Sequence, residues 1–356
     1  MNTTACRTPR TFTNENAAGR RMSPLLDAHS HVVPAGLPSF DDIDSRLPRT
    51  VIDGESANVI IGERPFRTVS RVAWNLDARR VEMRGHGVDA AVLSPMPELF
   101  CYWSDAAVTR GYYESVNRWI AASVEEHPAV FRGLGIVPLQ DPDLACEMLS
   151  MFAELGLVGV EVGSNVNGRS FADPLFRDFV DEAARLGLVV FVHAFHPPYA
   201  ATHVAPTVDI AATYPPEIAS YVLSLAARGT LARLPHARLF VSHGGGGAAW
   251  AIQRLEWLWN TDPQARDLMG ISPRQTLSSL YFDSVVFGAR GLRQLVDVVG
   301  ADRVCAGSDY PFVREPADFS LVTDGSFTRD EIESMRHRSA GDLFRWHPPL
   351  QERGNT

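Results

Sequence analysis

Eight short apolar runs are spaced along the chain, and those ending in His31, His193, His243 and Asp309 finish in side chains of the kind that binds or serves a divalent metal. The runs are Leu25 to His31, Val88 to Ser94, Gly133 to Pro138, Val158 to Gly163, Leu188 to His193, Arg238 to His243, Leu280 to Asp283 and Arg303 to Asp309. Each has strand length, and amphipathic stretches separate most of them. In Leu175 to Leu186 the residues Leu175, Phe176, Phe179, Val180, Ala183 and Leu186 share one helical stripe. Asp173-Pro174 is its start signal and Gly187 its stop. Ala145 to Leu155, Gly111 to Glu126 and Gly291 to Val299 read the same way. Strands and helices alternating in eight units predict an α/β fold, a (β/α)8 TIM barrel, with its functional groups at the C-terminal ends of the strands. A doubly wound open sheet is the competing architecture. It gives no reason for metal-type residues at four separate strand ends.

The chain has 356 residues, enough for a large core. Net charge is −9 and no Lys/Arg-rich run occurs, which argues against nucleic acid or an anionic membrane as partner. No apolar stretch is long enough to span a bilayer. Residues 1–23 are polar, carry Arg7, Arg10, Arg20 and Arg21, and lack the apolar core of a signal peptide. They read as a flexible tail before a barrel domain at 24–350, with Met22 an alternative start to Met1. Cys6, Cys101, Cys146 and Cys305 show no CxxC spacing and read as free thiols in a reducing cytoplasm. Residues 33–71 form an insertion rich in Pro, Gly and charge. Within it, Val59-Ile60-Ile61 and Phe66-Arg67-Thr68-Val69 predict a hairpin over the active-site rim.

His29 and His31 stand two apart, so in a strand both imidazoles project from one face. With His193 and Asp309 they make a ligand set suited to Zn²⁺, and also to Fe²⁺, Co²⁺ or Mn²⁺. Such an ion acidifies coordinated water. His243 ends its own run before four glycines, which allow close backbone approach to a ligand, and reads as a general base or acid beside the ion. Asp27 reads as a hydrogen-bond partner deeper in the barrel, sharing the inward phase of His29 and His31. His196 reads as surface or pocket lining, and Glu161 as a buried partner of Arg or His.

His29-Ser30-His31, Phe191-Val192-His193, His243-Gly244-Gly245-Gly246 and Gly307-Ser308-Asp309-Tyr310-Pro311-Phe312 resemble the amidohydrolase superfamily, and more narrowly its metal-dependent decarboxylase branch. Pro65-Phe66-Arg67, Phe100-Cys101-Tyr102-Trp103, Phe131-Arg132-Gly133-Leu134-Gly135 and Val162-Gly163-Ser164-Asn165-Val166-Asn167 extend the likeness from about Leu25 to Trp346. The resemblance implies one Zn²⁺ on the four ligands and His243 as activator of its water. It implies two arginines gripping substrate carboxylate, mapping onto Arg67 and Arg254. It also implies a homodimer in which Arg254 reaches the neighbouring subunit's site. Guanidinium suits this task because it meets a carboxylate in a planar, two-pronged fashion. The loop after His193 departs from the family, which has Pro then Trp where this chain has Ala194-Phe195-His196-Pro197-Pro198. Phe195 and Phe312 would still wall a flat, conjugated acid.

The expected function is therefore non-oxidative decarboxylation of a conjugated or aromatic carboxylic acid, such as an aminocarboxymuconate semialdehyde or a hydroxyaryl acid. The alternative is hydrolysis of an ester, lactone, amide or C–C bond at the same metal.

Overall fold

The computed structural model describes residues 23–195, 208–312 and 325–347. Residues 1–22 of the expected tail, Cys6 among them, and His196 lie outside the described residues. In chain order the strands are β1 (Leu26–Val32), β2 (Arg49–Asp53), β3 (Ser56–Ile61), β4 (Arg64–Ser70), β5 (Ala90–Pro95), β6 (Phe131–Gly135), β7 (Gly159–Gly163), β8 (Asn165–Val166), β9 (Arg169–Ser170), β10 (Val189–His193), β11 (Arg238–Val241), β12 (Tyr281–Asp283) and β13 (Val304–Cys305). Eight of them form one sheet in the order β1-β5-β6-β7-β10-β11-β12-β13, with every pairing parallel. All eight apolar runs are in this sheet. Ala28 N donates to Ala306 O at 2.8 Å, His31 N donates to Tyr310 O at 2.7 Å, and Ser30 bridges Tyr310. These contacts bring the last strand back to the first and make a TIM barrel.

Helices cover the barrel between successive strands. Ala106–Glu125 follows β5, Pro142–Glu154 follows β6, Arg177–Arg185 follows β9, Tyr214–Ala227 precedes β11, and Ala289–Val299 follows β12. Asp105 and Asp141 cap two of them, accepting from Val108 N and Leu144 N. The first therefore starts at Ala106, one turn before the expected Gly111. Leu175, placed on the apolar stripe, is half exposed, because Pro174–Phe176 is a 3-10 turn and the α-helix starts only at Arg177.

Two apolar layers hold the barrel. The inner one packs Leu26, Ala28, Val92, Leu134, Phe191 and Phe240 inside the sheet. The outer one lies between the strands and the helices. Phe191 and Phe240 stack with centroids 4.7 Å apart, from adjacent strands in register. Gly159 permits a close strand contact there, since a Cβ would lie 2.3 Å from Val189 O.

The insertion forms an antiparallel sheet, β2-β3-β4. The anticipated hairpin is β3 with β4. The third strand, β2, was not anticipated, since Arg49-Thr50-Val51-Ile52-Asp53 is almost wholly exposed and shows no buried face.

Candidate metal centre and cavity

The register of β1 is irregular between Asp27 and Ser30. Leu26 and Ala28 therefore pack with the inner layer, and yet the His29 ring lies 4.9 Å from that of Phe191. Asp27 does not share the phase of His29 and His31 as simple alternation predicts. Its Oδ2 accepts from Ser308 Oγ at 2.5 Å and its Oδ1 from Ser308 N at 3.1 Å. Burial pushes its carboxyl up to about 6, against the pull of Ser308, Arg79 and His29. Asp27 is thus the hydrogen-bond partner expected, at the seam of the barrel. Ser308 also accepts from Tyr310 N at 3.0 Å, so it braces Asp309, whose backbone is left-handed (φ 59°).

His29, His31, His193 and Asp309 converge, with one donor atom from each lying within 4.8 Å of the others. His29 Nδ1 bonds Asp283 Oδ2 at 2.6 Å. His31 Nδ1 lies 3.1 Å from Pro95 O, and His193 Nδ1 lies 2.8 Å from Ala194 O. Carbonyls and carboxylates only accept, so all three Nδ1 atoms carry the hydrogen and all three Nε2 atoms present lone pairs. His29 Nε2 and His31 Nε2 nevertheless face each other at 3.0 Å, and buried His193 Nε2 has no hydrogen-bond partner. Asp309 Oδ1 is 3.2 Å from His31 Nε2 and 3.6 Å from His29 Nε2. Buried lone pairs aimed at one another are unfavourable unless a cation sits among them. The donor set fits a divalent ion.

Electrostatics agree. Burial brings His31 down to about 4 and holds His193 well below the ordinary imidazole value, so both stay neutral near pH 7. For His29 burial acts downward, but the hydrogen bond and charge of Asp283 outweigh it and raise the group. For Asp309 burial acts upward and loses to His31, His29 and His243, leaving the carboxyl below its usual range.

His243 follows β11 with φ 53°, and the four glycines after it all have positive φ. Its ring lies 5.0 Å from His193, and its Nε2 is 3.9 Å from Asp309 Oδ2. Burial lowers its pKa, partly offset by Asp309 and Asp283. Asp283, at the end of β12, ties this histidine to the cluster. Besides His29 Nδ1 it accepts from His243 N at 2.8 Å, Gly244 N at 2.8 Å and Val285 N at 3.0 Å. Burial acts to raise its pKa, but His29 and these donors prevail and hold it below the carboxylate norm. Sequence reasoning passed over Asp283, although its run ends in an acid just where the neighbouring runs end in ligands.

A cavity of about 650 Å³ opens beside the cluster, lined among others by Arg67, Phe195, His243, Trp250, Phe287 and Phe312. Arg67, on β4, lies 4.4 Å over the Phe312 ring, which itself sits 5.2 Å from that of His31. Phe195 packs on Phe100 and Tyr102 on another part of the wall. Arg254 is not brought to this cavity. It is exposed on Gln253–Thr261, a helix next to Trp250 and also bearing Trp257, which are 70% and 65% exposed. Glu161 is buried in β7 with Oε1 3.8 Å from His31 Nδ1, too far for a hydrogen bond, so it is a neighbour of that histidine and not the partner expected, and burial pushes its carboxyl well up.

A family model described as Amidohydrolase matches residues 26–346. The 2-amino-3-carboxymuconate-6-semialdehyde decarboxylase of Dictyostelium discoideum is 30% identical over 299 residues, 81% of either chain. Among solved structures, 5-carboxyvanillate decarboxylase from Sphingomonas paucimobilis matches with a TM-score of 0.75 at 21% identity, over 90% of this chain and 99% of that one. A dihydroxybenzoic acid decarboxylase from Polaromonas sp. JS666, holding manganese and the inhibitor 2-nitroresorcinol, matches with a TM-score of 0.71 at 20% identity, over 91% and 97%. These two structures bear on the fold.

Proposed function

This chain belongs to the amidohydrolase family, as an enzyme of its metal-dependent decarboxylase branch, and from that premise we propose the roles of its residues. The reaction is loss of CO₂ without oxidation from a conjugated or aromatic carboxylic acid. His29, His31, His193 and Asp309 would hold one divalent ion, which when bound would supply Lewis-acid polarisation and acidify water. His243, kept neutral by burial, takes a proton from water at its ring nitrogen and carries it as imidazolium, while the hydroxide left behind combines with the CO₂ released. The bond between carbon and carboxylate breaks, CO₂ leaves, and the electron pair left on carbon takes that proton from His243. Arg67 orients the carboxylate, and the Phe312 ring under it offers a flat face to a conjugated substrate. Phe195 closes another part of that wall. Substrates of this class include aminocarboxymuconate semialdehydes and hydroxyaryl acids.

The observation that carries this reading is the convergence of three imidazole lone pairs and a carboxylate beside a guanidinium-bearing aromatic cavity. The test is CO₂ release by metal-loaded protein from muconate semialdehydes, hydroxybenzoates and hydroxypicolinates. Release from at least one is expected, and failure across all three classes would overturn it. Substituting Arg67→Ala separates this reading from hydrolysis of a neutral ester, lactone, amide or C–C bond, which would be indifferent to the change.

We assign Zn²⁺ as the native ion, on the strength of three imidazoles with one carboxylate. The manganese in the Polaromonas structure keeps other divalent metals in the test, which is metal analysis of purified protein. A homodimer placing Arg254 in the partner's cavity is part of the same proposal, supported by the exposed Trp250 and Trp257 beside it. Free thiols at Cys101, Cys146 and Cys305 support a cytoplasmic location. No described helix is long and apolar enough to cross a membrane.

A further inference from the structure

A second cavity lies away from the metal-type cluster, between the barrel wall and its helices. Its volume is about 220 Å³, and none of the residues lining it lines the catalytic cavity. Phe171, Phe176, Tyr221, Leu225, Leu234 and Leu239 form its apolar interior, and all six are buried. They come from the stretch after β9, the Tyr214–Ala227 helix, β11 and the turn before it. The aromatic faces there are already occupied by one another. Phe171 stacks on Tyr221 with centroids 5.9 Å apart and lies 5.4 Å from Phe176. The space is therefore walled by ring edges and aliphatic carbon.

The opening has the opposite character. Arg177, Arg228 and Arg233 line the same cavity and are exposed. Arg177 has Asp178 beside it, with Nε 3.4 Å from Oδ1. Among the described residues no acid pairs with Arg228 or Arg233. Arg233 donates through Nη2 to the backbone carbonyl of Arg228, which keeps its guanidinium at that residue. Asp173, the acid in the lining, is 3.5 Å from Arg169 and accepts from Leu175 N at 3.0 Å, so its charge is engaged elsewhere. The result is a cationic opening over an apolar interior.

We propose that this cavity is a second ligand site, separate from the catalytic one, and that it takes a medium-chain aliphatic carboxylate, with the head group at Arg228 and Arg233 and the chain inside. Guanidinium meets a carboxylate through two parallel hydrogen bonds. The chain gains by leaving water. An apolar cavity of about 150 Å³ holds a six-carbon ring, so the space here suits about six to eight carbons. A flat aromatic acid finds no free ring face to stack on. An inorganic anion would leave the interior unfilled. None of this depends on the reaction at the metal.

The test is calorimetric titration of the metal-loaded protein with butanoate, hexanoate and octanoate. Affinity is expected to rise about fourfold for each methylene added. The double variant Arg228→Glu with Arg233→Glu, at exposed positions, is expected to weaken octanoate by at least about tenfold. Leu225→Phe, which fills the interior, should weaken it as well. Arg67→Ala, in the other cavity, should leave octanoate binding as in wild type. Hydrogen exchange read by mass spectrometry should slow on octanoate binding in residues 171–180 and 221–239. Circular dichroism establishes that the variants are folded. The proposal is overturned by absence of octanoate binding into the millimolar range, by affinity indifferent to chain length, or by slowed exchange confined to the catalytic rim. Binding lost in Arg67→Ala but kept in the double variant overturns it too, since octanoate would then occupy the catalytic cavity.

Discussion

Asp283 fixes two functional histidines with one carboxylate. One oxygen takes the Nδ1–H of His29 and the backbone N–H of His243, and the other takes Gly244 and Val285. It thereby sets the His29 tautomer, which leaves Nε2 to the ion. Substituting Asp283→Asn retains the shape but lets the amide present a donor to one of these N–H groups. Metal affinity is expected to fall about 10- to 100-fold, read by competition with a chromogenic chelator. Unchanged affinity would remove Asp283 from the site. His31 makes a separate prediction for the metal-free protein. Its folded pKa is about 4, against an ordinary value of 6.5, so between these limits the unfolded chain binds more protons than the folded one. Stability is therefore intact above pH 6.5 and is lost as pH falls towards 4. His193 acts in the same direction, while His29, shifted upward, acts in the opposite one. Urea unfolding of metal-free protein at a series of pH values should show a shallower decline in His31→Asn than in wild type. Parallel curves would contradict the assignment.

At the scale of elements, the segment that aims His243 is the least tolerant part of the rim. His243 and Gly244 to Gly247 run in succession through left-handed backbone, a path that L side chains rarely follow. Gly246 has no room as well as an unusual φ, since a Cβ would lie 1.8 Å from Pro215 O on the helix before β11. Gly246→Ala is expected to destabilise the protein by more than about 1 kcal/mol in urea unfolding and to lower turnover by displacing His243. Gly247→Ala, where a Cβ meets nothing within 4 Å, isolates the cost of φ alone and should be milder. Equal effects of the two would mean that crowding at Pro215 is unimportant. The apolar runs made the barrel strands legible because each is buried on both faces, as β1 and β10 are throughout. β2 escaped notice for the opposite reason: its exposed side chains carry no burial pattern, and its pairing with β3 is made by backbone.

At the scale of the whole molecule, one cavity draws its described lining from seven segments of the chain: β4, the turn after β5, the ends of β10, β11 and β13, the stretch around Tyr214, and the loop and helix after β12. Arg254 stands outside that set, on an exposed helix. If it serves the partner's cavity, Arg67→Ala and Arg254→Ala should each abolish most turnover, yet mixed dimers should regain some. In a mixed dimer one cavity lacks both arginines and the other has both. Random re-pairing of equal amounts should therefore restore about a quarter of wild-type activity. No recovery on mixing, with re-pairing verified by mass, would contradict a shared site. Recovery would also give the dimer a functional reason to exist, because neither subunit would own a complete carboxylate clamp.

The amino-acid sequence by itself determined the barrel and the identity of the metal-type cluster. Runs buried on both faces can only be strands of a covered parallel sheet, and the ends of such strands gather at one rim whatever lies between them. His29, His31, His193, His243 and Asp309 were all legible for that reason. What tertiary structure alone decided was register and proximity. The irregular pairing of β1 sent Asp27 to Ser308, a residue 281 positions away, and Asp283 found His29 across 254. Arg67 met Glu98 and Phe312 from three separate segments. A local pattern encodes which face of an element is buried, whereas a hydrogen bond between distant segments depends on how far each strand slides along its neighbour, and that is settled only when the whole barrel packs.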